Sequence, residues 1–215
     1  MLQFKKYKKF YNKELVIEIE DTFLDEGVYW IKGDNGTGKS TLMKSIAGLI
    51  PFDGDISLYG LSNNQKNILA YRTIVNYGEA EPVYPEFLKG SDLVKLYQNA
   101  KAAGEEQVES LLIRLGVKKF YSKEIGAYSS GMVKRLSLAL AFTGNPRLIL
   151  LDEPLITLDK ETTEVVMELI MEYAAKGVSI IYTSHQEFKD KISFPMNVLL
   201  LNNHHLKPFI NVSSI

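Results

Sequence analysis

The sequence predicts an α/β fold in which a mainly parallel sheet carries a phosphate-binding loop. The first observation is a glycine-rich segment, residues 33–41, which lies between a short apolar run and a segment with helical spacing. The second is an apolar run that ends in two carboxylates, Asp152 and Glu153. The third is a helical pattern over residues 80–143, which interrupts the α/β alternation. Strands that alternate with helices are typical of a parallel sheet covered by helices.

Composition and charge are those of an ordinary globular domain. The chain has 215 residues, of which 46% are hydrophobic and 24% charged, and this length favours a single domain of residues 1–215. The formal net charge of -1 gives no basic field for nucleic acid, so we expect no nucleic-acid partner. The lack of cysteine excludes disulfides and thiolate metal sites, and it fits a reducing compartment.

Neither a membrane span nor a signal peptide is evident in the sequence. No apolar run approaches the roughly 20 residues that cross a bilayer. The lysine-rich N-terminus lacks the apolar core of a signal peptide. We therefore expect a cytoplasmic location, with any membrane role played beside the membrane through another protein.

The segment at residues 33–41 has the spacing of a P-loop. Its glycines let backbone N–H groups face phosphate oxygens, and the following helix N-terminus adds a partial positive charge. Lys39 is expected to reach the β- and γ-phosphates, and the Ser40 hydroxyl to coordinate Mg²⁺. The predicted phosphate-binding residues are Gly33, Asp34, Asn35, Gly36, Thr37, Gly38, Lys39, Ser40 and Thr41.

The N-terminal part predicts an antiparallel sheet. Apolar and acidic residues alternate between residues 14 and 20, as expected for a strand with one solvated face. An aromatic cluster of Tyr7, Phe10 and Tyr11 precedes this strand. Such clusters are commonly core residues, but a nucleotide base needs a flat partner on which to stack. Tyr11 is the candidate for that stacking role.

Polar groups follow two predicted parallel strands. In open α/β sheets, ligands bind at the C-terminal ends of strands. Asp152 is suited to hold Mg²⁺, directly or through water, and Glu153 to orient or deprotonate an attacking water. His185 follows the next strand, and it is either a structural histidine or a group that reaches a γ-phosphate or its attacking water.

Two further segments admit plain structural interpretations. Ser129 or Ser130 is a good N-cap for the helix that follows, and on these residues alone we interpret the segment as a capped helix. Residues 198–201 predict a last strand, and His204 and His205 lie in a turn beyond it with no assigned role.

Taken together and in this order, the motifs resemble those of the ATP-binding subunit of an ABC transporter, over nearly the whole chain. Residues 33–41 match the Walker A loop and residues 148–153 match Walker B. Residues 129–131 lie where the family's signature belongs, and residues 157–159 match the D-loop. His185 matches the switch histidine, and Tyr11 falls at the usual distance for the adenine-stacking aromatic.

The resemblance implies a P-loop NTPase with a RecA-like core. It also implies an N-terminal antiparallel β subdomain, and residues 1–79 and 144–215 hold this subdomain and the core. The inserted α-helical subdomain, with the signature, occupies residues 80–143. ATP and Mg²⁺ are the implied cofactors, with Ser40 and Asp152 as metal ligands.

The resemblance also implies a mechanism. Two subunits, identical or different, dimerise head to tail, and each ATP lies between the Walker A loop of one and the signature of the other. Glu153 is then the general base, and His185 contacts the γ-phosphate and the water. Closure on ATP and opening after hydrolysis drive an integral membrane permease, which holds the subunit at the inner face of the membrane. The remaining implied contacts with ATP or across the interface are Ser129, Ser130, Gly131 and Asp159.

Two departures from the family pattern bear on activity and direction. Ser130 replaces the first glycine of the signature and adds bulk where backbone should approach phosphate. The glutamine that the family places after the strand near Tyr77 is missing, and Glu79 and Glu81 stand there instead. A carboxylate still ligates a metal, so Glu79 is a candidate Mg²⁺ ligand. Acidic loops of this kind resemble those of exporter-type subunits, which makes export the expected direction.

Two other functions remain open from the sequence. Soluble ABC-type ATPases that act on ribosomes or DNA usually carry two cassettes, long coiled-coil inserts or zinc-binding cysteines, and this chain has none of these. A slow nucleotide-dependent regulatory switch fits the altered signature. Glu153 and His185, however, are the residues of an enzyme that hydrolyses ATP.

Overall fold

The computed structural model describes residues 1–184 and 195–209. Its framework is an 11-stranded sheet on which helices pack. The strands are β1 (Leu2–Tyr11), β2 (Glu14–Ile19), β3 (Thr22–Leu24), β4 (Val28–Lys32), β5 (Asp53–Leu58), β6 (Leu61–Ser62), β7 (Val75–Gly78), β8 (Leu148–Leu151), β9 (Ser179–Thr183), β10 (Met196–Asn202) and β11 (His205–Phe209). The α-helices of these residues are α1 (Lys39–Ile46), α2 (Ile68–Ile74), α3 (Gly90–Ala100), α4 (Glu105–Arg114), α5 (Ser130–Ala141) and α6 (Lys160–Ala175).

Strand pairing joins an antiparallel part and a parallel part into one sheet. The strand order is β6-β5-β1-β2-β11-β10-β4-β9-β8-β7, and β3 pairs with β1 outside this path. Neighbours from β10 to β7 are parallel, whereas β6, β5, β1 and β2 are antiparallel. Strand β11 pairs antiparallel with β10 and parallel with β2, so it connects the two parts. The predicted α/β fold is confirmed.

The parallel strands are buried on both faces because each face of the sheet is covered. Val28 and Trp30 of β4 belong to a core that they form with helices α3 to α6. Tyr29 and Ile31 belong to a second core, which α1 and the antiparallel strands complete. Burial on both faces explains why β4 is a continuous apolar run in the sequence. It also fixes the position of the loop that leaves this strand.

The elements between β7 and β8 are all helical. Helices α3 and α4 are separated at Gly104, as predicted, and they bury Leu93 and Leu111 against the first core. Helix α5 follows and is almost entirely apolar in its last two turns. The boundaries that we predicted for a helical subdomain, residues 80–143, enclose these three helices.

Two elements differ from the sequence predictions. Helix α2 was not predicted, because its seven residues are too few for helical periodicity to stand out and only Tyr71 of this helix is buried. Residues 198–201 are not in the last strand, since a turn at Asn203 and His204 leads into β11. Pro208 made β11 a poor strand candidate, because proline removes a ladder hydrogen bond. Proline is tolerated here because, among the residues that the structure describes, β11 pairs with β2 at His205 alone.

Candidate active site

The loop after β4 leaves no room for side chains at its start. A Cβ at Gly33 would lie 2.5 Å from the backbone oxygen of Leu201, in the neighbouring strand β10. Gly36 and Gly38 have φ values of +80° and +101°, in the left-handed region that favours glycine. At Gly38 a Cβ would also come within 3.0 Å of Ile17 in β2. The glycines therefore permit a tight turn, and such a turn lets backbone N–H groups surround a phosphate.

The lysine of this loop lies over the loop backbone. Lys39 is 8% exposed, and its Nζ donates hydrogen bonds to the carbonyl oxygens of Gly33 (2.7 Å) and Asp34 (2.9 Å). Thr37 Oγ1 donates to the same Asp34 oxygen at 2.9 Å. Helix α1 begins at Lys39 with no acidic residue in its first turn, so the partial positive charge of its N-terminus is not compensated locally. Ser40 is exposed beside it, and this assembly is suited to bind polyphosphate.

The first carboxylate after β8 is buried and fixed by two hydroxyl groups. Asp152 is 2% exposed. Its Oδ1 accepts a hydrogen bond from Thr183 Oγ1 (2.6 Å), and its Oδ2 accepts one from the Tyr77 hydroxyl (3.3 Å). Burial, with a smaller contribution from the Asp152 charge, raises the pKa of Tyr77, so its hydroxyl stays protonated as a donor. Strands β7 and β9 thus hold Asp152 between them.

The second carboxylate stands on an unusual backbone. Glu153 is 9% exposed and has a φ of +44°. A non-glycine residue in this region costs of the order of 1–3 kcal/mol and persists only where neighbours enforce it. Here the Glu153 N–H donates to Thr183 Oγ1 at 2.9 Å. The positive φ of Glu153 turns the chain directly after β8 and Asp152.

The predicted Mg²⁺ site has few protein ligands. Within residues 1–184 and 195–209, no group of three or more His, Asp or Glu side chains is placed to hold a metal ion. Ser40 and Asp152 supply oxygen atoms, which suit Mg²⁺, an ion commonly bound by one or two protein ligands together with phosphate oxygens and waters. These residues fit a metal that arrives with a nucleotide.

The acidic loop after β7 is held by a lysine of α5. Lys134 Nζ donates to the backbone oxygens of Glu79 (2.6 Å), Ala80 (3.1 Å) and Asp152 (3.1 Å). Burial lowers the pKa of Lys134 to about 8, although the neighbouring carboxylates act in the opposite direction. The backbones of Glu79 and Asp152 therefore lie close together, since one ammonium group binds both. Its role as a Mg²⁺ ligand stays a prediction.

The signature residues form an open helix N-terminus. Ser129 is the N-cap of α5, since its Oγ accepts a hydrogen bond from the Met132 N–H at 3.3 Å, and this prediction is confirmed. Ser129 and Ser130 are exposed, and no acidic residue lies in the first turn. A Cβ at Gly131 would meet the Thr157 backbone oxygen at 3.3 Å, so the signature lies against the D-loop of its own chain.

The D-loop aspartate joins two helices. Asp159 is the N-cap of α6, with its Oδ1 accepting from the Thr162 N–H at 2.8 Å. Its Oδ2 accepts a charged hydrogen bond from Arg135 of α5. The hydrogen bond from Thr162 is the main reason why the pKa of Asp159 lies below its ordinary value. Asp159 thus binds the signature helix within the chain, and its predicted contact with ATP stays a prediction.

The two remaining predicted residues have different outcomes. Tyr11 ends β1 at a two-residue turn and is 49% exposed, with Lys9 Nζ 4.6 Å from its ring centroid. Its exposure allows stacking with a base, which stays a prediction. His185 lies outside the residues that the structure describes.

Sequence reasoning missed the residues that fix the carboxylates. Thr183 and Tyr77 bind Asp152, and Lys134 binds the peptide that follows it. A signal was present for Lys134, because it shares a helix face with Leu138 and Ala141, which are both 1% exposed. A lysine on an apolar face points to a buried polar partner.

Comparison with known families decides what this arrangement is. The family model described as ABC transporter matches residues 19–156, which include the P-loop, the signature and both carboxylates. The chain belongs to the ABC transporter family. It is therefore an ATP-binding, ATP-hydrolysing subunit of such a transporter.

Curated relatives of this ABC transporter subunit match most of its length. The ABC transporter ATP-binding protein YybJ of Bacillus subtilis (strain 168), itself uncharacterised, is 29% identical over 198 residues, which cover 92% of this chain and 89% of YybJ. The cytochrome c biogenesis ATP-binding export protein CcmA of Reclinomonas americana is 29% identical over 185 residues, which cover 84% of this chain and 82% of CcmA.

Solved ABC structures share the fold. An ATP-binding subunit of an ABC transporter superimposes with a TM-score of 0.87 and 26% identity, covering 98% of this chain and 90% of the other. A bacterial ABC transporter cassette that was solved as a dimer gives a TM-score of 0.85 at 20% identity and covers 100% of both chains. The second likeness shows the fold alone.

Proposed function

We propose that this subunit hydrolyses MgATP with Glu153 as the general base. The observation that carries the proposal is the fixed turn at Asp152 and Glu153, two strands away from the strand β4 that precedes the P-loop. The loop N–H groups and Lys39 bind the phosphates, and Glu153 accepts a proton from the attacking water. His185 is proposed as the partner of the γ-phosphate and the water. Bound Mg²⁺, held by Ser40 and Asp152 with Glu79 as a further candidate, would neutralise developing phosphate charge.

Binding of the adenine base completes the proposed nucleotide site. Tyr11 is the last residue of β1, next to the turn into β2, and β2 lies against the P-loop at Gly38. Its half-exposed ring offers a face for stacking, worth about 1–3 kcal/mol per base.

We further propose a head-to-tail dimer, of identical or different subunits. The N-terminus of α5 is a second place that suits an anion, because Ser129 and Ser130 are exposed and the first turn of the helix holds no acidic residue. It lies against its own D-loop at Thr157. A second subunit would bring its P-loop-bound ATP to this surface. A bacterial ABC transporter cassette of the same fold was solved as a dimer, which supports a dimer here.

A membrane permease is the proposed partner. Among the described residues, no helix is both long and apolar enough to cross a bilayer. An open groove of about 540 Å³ lies between α2, the β7 end and α3. Its apolar residues Leu69, Val83 and Leu96 are 79%, 88% and 59% exposed. Tyr77 and Glu79 also line it, so an apolar helical segment of the permease seated here would touch the loop beside Asp152.

Export is the proposed direction of transport, and the subunit is proposed to lie on the cytoplasmic face of the membrane through the permease. The relative CcmA is an ATP-binding export protein. The acidic loop at Glu79 and Glu81, in place of the family's glutamine, agrees with that direction.

Glu153→Gln tests the catalytic assignment. We expect a loss of ATP turnover of about 100-fold or more, because the amide does not accept a proton from water. ATP affinity should change by less than about threefold, since the phosphates are bound by the P-loop. Size-exclusion chromatography with ATP should show a dimer that persists, because hydrolysis no longer opens it.

The matched control is Glu164→Gln, which removes an exposed carboxylate of α6. It should leave turnover, affinity and oligomeric state unchanged. Full turnover in Glu153→Gln would contradict the base assignment. Turnover at the background rate in both the wild type and Glu153→Gln, with ATP binding intact, would instead favour a regulatory nucleotide switch.

A further inference from the structure

A buried lysine links three parts of the site. Lys134 lies in the second turn of α5 and is 2% exposed. An ammonium group has three N–H donors, and the three acceptors here are the backbone oxygens of Glu79, Ala80 and Asp152. One side chain therefore ties the signature helix to the acidic loop after β7 and to the end of β8.

The Asp152 acceptor belongs to the peptide bond that precedes Glu153. On its other side, the N–H of the same peptide donates to Thr183 Oγ1 at 2.9 Å. Lys134 and Thr183 thus hold this peptide plane from two directions. Because Glu153 follows it with a φ of +44°, the orientation of the plane sets the direction in which the Glu153 side chain leaves the strand.

Stability alone does not account for a lysine at this position. Removing an ammonium from water costs free energy, and the carbonyl acceptors and neighbouring carboxylates return only part of it, since burial still lowers the pKa of Lys134. A methionine has a similar length and would fill the same space in the apolar face formed with Leu138 and Ala141 at lower cost. The bonds that Lys134 makes are directed at the loop and the peptide that carry Glu79 and Glu153.

We propose that Lys134 is a positioning residue that fixes the Asp152–Glu153 peptide relative to α5, so that movement of the signature helix reaches the general base. This inference rests on the proposed role of Glu153. The same ammonium also holds the loop at Glu79 and Ala80, and Glu79 lines the groove proposed for the permease. Lys134 therefore connects the signature, the groove side and the hydrolytic carboxylate through a single group.

The test compares Lys134→Met and Lys134→Arg with a matched lysine. Lys101, at the end of α3, is half-buried and donates to the backbone oxygens of Arg72 and Val75, at the opposite end of β7. Burial also lowers the pKa of Lys101 to about 8, so Lys101→Met removes a similar group far from the carboxylates. Turnover, KM for ATP, affinity for a fluorescent ATP analogue and thermal unfolding are measured for each full-length variant.

We expect Lys134→Met to lower kcat about tenfold or more, with KM and nucleotide affinity within about threefold of wild type, because misplacement of a catalytic group acts on the chemical step. Lys134→Arg keeps the charged donors and should recover much of the lost kcat. Lys101→Met should lower the melting temperature without a comparable loss of kcat. Hydrogen exchange should accelerate in Lys134→Met at residues 150–156 and 78–82 ahead of the rest of the chain.

Two results would overturn the inference. One is a kcat for Lys134→Met within about twofold of wild type. The other is a loss of kcat that only parallels the loss of melting temperature across both lysine variants. If Lys134→Met does not fold, Lys134→Gln is judged on the same criteria, because its shorter side chain does not reach all three acceptors. Glu153→Gln is assayed alongside: full activity there removes the base assignment itself, whereas an inactive Glu153→Gln with an active Lys134→Met removes the inference alone.

Discussion

At the scale of single residues, the conformation of the P-loop is set mainly by steric limits at its glycines. Gly33 is confined by a backbone oxygen of the adjacent strand, whereas Gly104, which precedes α4, has open space around it and a φ of -68°. Gly33 lets the P-loop backbone pack directly against the backbone of β10. Gly104 has no such constraint, which makes the pair a useful comparison.

Gly33→Ala should weaken ATP binding about tenfold or more and lower the free energy of unfolding by about 1–3 kcal/mol, since its Cβ would force β10 or the loop to move. Gly104→Ala should change both quantities little, by about 0.5 kcal/mol or less. Nucleotide titration and denaturant unfolding provide the two measurements. If Gly33→Ala binds ATP with wild-type affinity, the loop must rearrange to fit the added Cβ, and the prediction is wrong.

The sequence revealed those site residues that are contiguous in the chain. The P-loop and the two carboxylates are recognisable because the residues of each motif are adjacent in the sequence. Thr183 and Lys134 act on Asp152 from 31 and 18 residues away, so only tertiary pairing shows what they bind. Periodicity indicates that each is buried, but not which acceptor it reaches.

At the scale of elements, the N-terminus of α5 combines a structural and a functional demand. Ser129 caps the helix, and the proposed mechanism requires the same hydroxyl to face the γ-phosphate of a second subunit. Aspartate is as good an N-cap as serine. Its charge, however, would repel the phosphate.

Ser129→Asp should therefore keep the melting temperature of the wild type and lose ATP-driven dimerisation and turnover. Ser129→Ala should show a different pattern, with a loss of about 1 kcal/mol of unfolding free energy from the missing cap. Calorimetry and size-exclusion chromatography in the Glu153→Gln background distinguish the two. Dimerisation that survives Ser129→Asp would count against the signature as a phosphate contact.

Element prediction succeeded where burial is regular and failed where it is not. The strands of the parallel sheet and helices α3 to α6 have apolar patterns that match their periods. Helix α2 has only seven residues, too few to establish a helical period, and β11 contains Pro208, which is unfavourable in a strand. Both are held in place by tertiary contacts, which local sequence does not encode.

At the scale of the whole molecule, the exposed apolar groove proposed for the permease does not include the P-loop. Binding of the permease and binding of ATP can therefore be tested separately. Leu69 projects from α2 into this groove, whereas Ile113 on α4 is 60% exposed and lies outside its lining. Their similar exposure makes them a matched pair.

Leu69→Glu should reduce the amount of polytopic membrane protein recovered with the tagged subunit in mild detergent by about tenfold, because it places a charge in an apolar interface. Ile113→Glu should leave recovery unchanged, and both variants should bind ATP as the wild type does. Equal recovery with Leu69→Glu and wild type would move the permease contact away from this groove.

The order of the strands has a consequence for synthesis of the protein. The P-loop strand β4 lies between β9 and β10, and Gly33 lies against Leu201. A nascent chain that has already emerged through residues 33–41 still lacks both flanking strands of this loop. About 160 further residues must be synthesised before both flanking strands of the loop, up to residue 202, are present. We therefore expect an unfinished chain to bind ATP weakly, because the two strands that flank the loop are present only after β10 has been synthesised.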